Sequence, residues 1–377
     1  MALRRLAVLA CAAALGAAGI TATAGSAHAD GSTTGSLADQ LAQVQSLLGD
    51  GTLTPQAQAA GALGDTDWTA SEQSAIDGSQ YSCGSTELYD WLGQQAGPAQ
   101  LMSDLSTYHV FDFAQYYATY YGNDSTPQSL GPNGEDTTPI HQEFKSLQKF
   151  WDVDGSKVQL VSMKGSILDD ESKVAQVVEL LYGVDQATAD QVAPTFMDWA
   201  AQMPGGTDNP YFSFNLFAMN GSSIGQPDKI IVGDGVPDAF DALGLGMGVR
   251  IATAHEYGHI VQNKDGLRAT TLTDPAEVSR RLELMADAEG SYYLTSAQGA
   301  AINDQRVESV ARTMYDLGDC NFASTTHHGT PDQREASVEW AAGVANAVRP
   351  QSSVMTGVQF GQAFDQELPT LVAPDAS

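Results

Sequence analysis

Apolar positions recur at three- and four-residue intervals along much of the chain, the spacing of amphipathic helices. Val174, Val177, Val178 and Leu181 show it clearly and predict a helix over 172–182. The same reading predicts helices over 37–48, 140–151, 188–202, 246–263, 274–295, 302–317 and 331–348. The aromatic-rich stretch 108–121 reads as core helix too. Asp274 and Pro275 supply an N-cap acceptor and a first-turn proline, Thr330 caps the last of these helices, and Gly266 should end the helix that begins near Gly246. Short apolar runs bounded by turn residues break the pattern at 158–163, 211–219 and 229–232 and read as strands. The order strand, strand, helix, helix predicts an α-rich α+β fold. In it, a small sheet from about residue 211 to 232 lies over the helix starting near Gly246.

The first residues follow another logic. A basic start with Arg4 and Arg5, an apolar run from Leu6 to Ile20 and the triplet Ala27-His28-Ala29 make residues 1–29 an expected secretory signal peptide. That run is too short to favour a permanent span and no other stretch is long enough, so a secreted protein without stable membrane insertion is expected. Residues 30–80, rich in Gly, Ala, Ser, Thr and Gln, read as a mobile lead-in with one amphipathic piece at 37–48. A mainly helical part over 81–205 and a core over 206–370 follow.

Charge narrows the partners. With 46 acidic against 17 basic residues and a formal net charge of −29, the charge argues against binding nucleic acid or anionic lipid through a basic surface. Beyond the leader two cysteines remain, Cys83 and Cys320, and an even count in an exported chain predicts a disulfide between them.

The chemistry concentrates in His255-Glu256-Tyr257-Gly258-His259. Residues four apart on a helix share a face, so His255 and His259 can aim at one metal ion. Glu256, about a third of a turn away, can reach a water beside that ion without binding it. Gly258 leaves room beside the second histidine for a close neighbour. A catalytic zinc site wants a third protein ligand and one open position. Two residues compete for the third place. Asp265 lies ten residues after His255, but Gln262 stands where a sharp turn would need glycine. Glu283 lies on the next predicted helix, with Asp287 one turn later on the same face, where it can accept from the outer nitrogen of a metal-bound histidine. Asp234, Asp238 and Asp241 match part of a calcium loop, against the reading of a turn that starts a helix at Pro237.

His255-Glu256-x-x-His259 followed by Glu283-x-x-Ala286-Asp287 resembles the gluzincin pattern of zinc peptidases. Ala254 to Gln262, Glu283 to Asp287 and His328 to Arg334 are together similar to the neutral zinc metallopeptidases of bacteria. Asn215 to Ala218, ahead of Lys229 to Val232, also resembles the substrate-edge strands of membrane-linked gluzincins. The resemblance spans about residues 210 to 345 and leaves out the N-terminal third. It departs from the family at Ala288, where a cysteine is frequent. It implies a zincin-like fold and a Zn²⁺ ion held by His255, His259 and Glu283, with Asp287 behind them. It also implies a zinc-bound water with Glu256 as general base, and His328 as oxyanion donor with adjacent His327 as the alternative. The implied activity is hydrolysis of peptide or protein substrates. The rival expectation is an inactive, zinc-binding secreted homologue that serves as a binding protein; an intact Glu256 argues against it.

Overall fold

The computed structural model describes residues 36–61 and 76–375; the expected signal peptide lies outside them. Before the first strand the chain forms α1 (Leu37–Leu48), α2 (Pro55–Gly61), α3 (Glu87–Gln94), α4 (Ala99–Thr107), α5 (Phe113–Tyr120) and α6 (Thr137–Phe150). Strand β1 (Gln159–Met163) leads to α7 (Glu171–Tyr182) and α8 (Gln186–Ala201), then to β2 (Leu216–Met219) and β3 (Lys229–Gly233). The remainder is helical: α9 (Gly235–Ala242), α10 (Gly248–Asp265), α11 (Pro275–Thr295), α12 (Asp304–Asp316), α13 (Pro331–Ala347) and α14 (Gly357–Leu371). The α-rich α+β class is therefore observed. No helix among the described residues is long and apolar enough to cross a membrane.

The sheet has the order β1-β3-β2, with β1 parallel and β2 antiparallel to β3. All five residues of β3 are buried. Side chains alternate across a strand, so the sheet separates two helical layers. Val161, Met163, Phe217, Met219 and Ile231 join a core with Val44, Leu105, Phe113, Val177 and Phe196. Leu160, Ile230 and Val232 join the other with Phe144, Ile251, Tyr257, Met285 and Tyr292.

Two expectations need correction. The sheet does not run from 211 to 232. Pro210–Phe212 is a 3₁₀ turn capped by the side chain of Asn209, so β2 begins only at Leu216, and the third strand comes from 159–163. Nor is the expected lead-in loose throughout. Val44, Leu53 and Ala57 are buried in the first core, and Trp199 Nε1 donates to Gln40 Oε1 at 3.0 Å. A segment too poor in apolar residues to build its own core can still dock on one that α7 and α8 provide.

Cys83 and Cys320 form a disulfide, their Cα atoms 5.7 Å apart. The calcium alternative finds no support. Asp234 pairs with Lys164, and Asp238 and Asp241 lie on α9, the helix that the turn reading anticipated.

Candidate metal centre

The site rests on how closely α10 and α11 approach. They run antiparallel, so His255 faces Asp287 while Gln262 faces Leu282. Two glycines set the spacing. A Cβ on Gly258 would stand 3.2 Å from the Ala286 Cα and 2.8 Å from Glu289 Oε2. One on Gly290 would stand 3.1 Å from the His255 backbone nitrogen. The helix ends are built as expected: Asp274 accepts from the amides of Ala276 and Glu277, and Gly266 closes α10 in the left-handed conformation.

This packing gathers three side chains. His255 Nε2 and His259 Nε2 are 3.2 Å apart. Glu283 places Oε2 3.3 Å from the first nitrogen and Oε1 3.4 Å from the second. Bonds of about 2.0–2.1 Å to a tetrahedral ion put ligand atoms about 3.3 Å from one another, so each separation has the size of a zinc-ligand edge, the two histidines meeting different oxygens of Glu283. Glu256, with His255 and His259, forms a buried group that could hold a metal ion, the ligand atoms lying within 4.8 Å of one another. Its Oε1 is nevertheless 3.9 Å from His255 Nε2, longer than that edge, and its Oε2 accepts from the Ala218 amide at 2.7 Å. Glu283 thus approaches both histidines more closely than Glu256 approaches His255. Asp265 is not brought in. α10 stays helical to its end, which puts Asp265 about 15 Å along the axis from His255.

Each histidine is held from behind. His255 Nδ1 lies 2.7 Å from Asp287 Oδ1, and Arg334 donates to both oxygens of Asp287 at 2.8 and 2.7 Å. Complete burial would raise Asp287; the Arg334 charge and hydrogen bonds, then His255, hold it below the usual carboxylate range. Burial would likewise lower His255, but the charge and hydrogen bond of Asp287, with help from Glu283, raise it to about 10. His259 has no such anion behind it. Burial takes it down to about 4, and its Nδ1 meets Gln262 Oε1 at 3.1 Å. Burial pushes Glu256 up to about 7; His255 opposes this and Glu283 adds to it. A carboxyl in that range can exchange protons near neutral pH.

The two candidate oxyanion donors differ. His327 is fully buried, with Nδ1 2.7 Å from Asp319 Oδ1 and its ring against Phe322. His328 opens to solvent, 41% of its side chain exposed, and its Nε2 is 4.0 Å from Glu283 Oε2. Asp319 Oδ2 accepts from the His328 backbone amide at 2.7 Å and faces its Nδ1 at 3.1 Å.

Asp319, Gln262, Glu289 and the Ala218 amide were not anticipated as parts of the site. Asp319 sits in a loop without periodicity, and its partners are formed by folding. Arg334 lies inside a stretch that carries the family resemblance, but its partner Asp287 is 47 positions away in sequence. Compared with family models, curated proteins and solved structures, the chain matches none.

Proposed function

We propose that this chain is a secreted zinc peptidase of zincin-like architecture, with His255, His259 and Glu283 as metal ligands. The observation that carries the proposal is the convergence of these groups: the two Nε2 atoms are 3.2 Å apart, and the Glu283 carboxylate comes within 3.3 Å of one and 3.4 Å of the other. Buried carboxylates and imidazoles do not crowd this closely without a shared cation or proton, and the donor set of two nitrogens and one oxygen suits zinc. The family resemblance points the same way.

A zinc ion held there would supply Lewis-acid polarisation of a peptide carbonyl and would lower the pKa of an attacking water from about 15.7 towards 7. The protein's own groups supply the rest. Glu256, tethered to the Ala218 amide at 2.7 Å, accepts a proton from the attacking water and returns it to the leaving amine. His328, with Nδ1 against Asp319, presents Nε2 to the developing oxyanion. β2 is an edge strand, and an extended peptide adding to that edge would pass Glu256. The disulfide suits an oxidising, extracellular setting.

The test is bound zinc per purified chain, together with cleavage of unfolded casein before and after chelation and zinc return. Wild type should hold one zinc and lose activity reversibly on chelation. Glu283→Ala should lose most of the zinc, and Asp265→Ala none. Zinc without cleavage would leave a binding protein; zinc lost from Asp265→Ala and kept by Glu283→Ala would overturn the ligand assignment.

A further inference from the structure

We infer that Gln262 is a positioning residue for His259: it fixes which ring nitrogen faces the metal centre. The inference rests on the reading of the site as a metal centre, but its decisive observation does not require metal.

Gln262 lies three residues after His259 on α10, on the same face, and is fully buried. Its Nε2 is 3.0 Å from the Leu282 carbonyl oxygen and 3.1 Å from Glu289 Oε2. A backbone carbonyl can only accept, so the amide must turn its NH₂ towards Leu282. That leaves Oε1 facing His259 Nδ1 at 3.1 Å. Oxygen accepts, so the ring carries its proton on Nδ1. The lone pair on Nε2 then points to the gap shared with His255 and Glu283. A neutral imidazole binds metal through the nitrogen without the proton, so Gln262 selects the ligating tautomer.

Glu289 reaches Gln262 through space that a side chain at residue 258 would occupy. Gly258 therefore serves two purposes, the close approach of α11 and the seating of this amide. The two histidines are consequently held by different chemistry. His255 has a carboxylate neutralised by an arginine, and His259 has an uncharged amide.

The test uses the full chain, metal-free, with ¹⁵N-labelled histidine, and NMR to read the tautomer of each ring. Wild-type His259 should be protonated at Nδ1. In Gln262→Leu, or in Gln262→Met should the first variant fold poorly, His259 should populate both tautomers while the protonation of the His255 ring is unchanged. Zinc affinity, measured by chelator competition, should fall about 10–100-fold in the same variants. A wild-type His259 protonated at Nε2 would overturn the inference, as would variants that keep both the tautomer and zinc affinity within threefold. An Nδ1-protonated wild type that binds no zinc would support the positioning role and defeat the metal reading.

Discussion

Arg334 grips Asp287 through two hydrogen bonds of 2.8 and 2.7 Å, and both side chains are almost wholly buried. The pair links α13 to α11 directly behind His255. Asp287 can serve His255 as an anion because Arg334 offsets the cost of burying that charge. Arg334→Met leaves the buried Asp287 carboxylate with His255 as its one remaining charged partner and should destabilise the fold by about 3–5 kcal/mol in urea titrations. Adding Asp287→Asn should recover part of that loss, since the two changes share one interaction. Simple additivity of the two substitutions would contradict the coupling.

Cys320 adjoins Asp319, whose carboxylate holds both His327 and His328. The disulfide to Cys83 thus anchors the loop that orients the proposed oxyanion donor. Replacing both cysteines with alanine removes a constraint on a long loop worth roughly 5 kcal/mol in the entropic model. The double variant should melt lower and keep its zinc, with casein turnover down about tenfold or more. Unchanged turnover at full zinc occupancy would mean that the loop holds its place without the bond.

Asp136 carries a pH prediction. Burial first, then the charges of Asp241 and Glu135, push it up to about 6. Its folded pKa exceeds the unfolded value of about 3.9, so the native state binds more protons between those limits. Stability therefore falls as pH rises from about 4 to 6 and stays reduced above that. Asp136 precedes α6 without a capping hydrogen bond from its side chain, so Asp136→Asn sacrifices little. The variant should melt about 2–4 °C above wild type at pH 7.5 and level with it near pH 4. Equal melting at both pH values would contradict the shift.

Periodicity made much of this protein legible. Val174 to Leu181 predicted α7, and Asp274-Pro275 and Gly266 marked the helix ends that bracket the candidate metal centre. The spacing of His255, His259, Glu283 and Asp287 was readable because each pair lies on a single helix face. The strand at 158–163 was read, but its pairing with β3 and the start of β2 were harder. Strand pairing is nonlocal, and the 3₁₀ turn at 210–212 interrupts an aromatic run that otherwise reads as extended. α14 went unread although Phe360, Phe364, Leu368 and Leu371 recur at helical spacing; the docking of α1 and α2 went unread because their few apolar residues matter only against a surface made elsewhere. Asp319 was invisible for a related reason: its partners are loop residues, and no period connects them.

The central claim is that Glu256 transfers protons without holding the metal. Its most direct test is casein hydrolysis by Glu256→Gln at measured zinc occupancy. The account predicts wild-type zinc content and fold with turnover reduced 10²-fold or more. Wild-type hydrolysis with zinc still bound would contradict it.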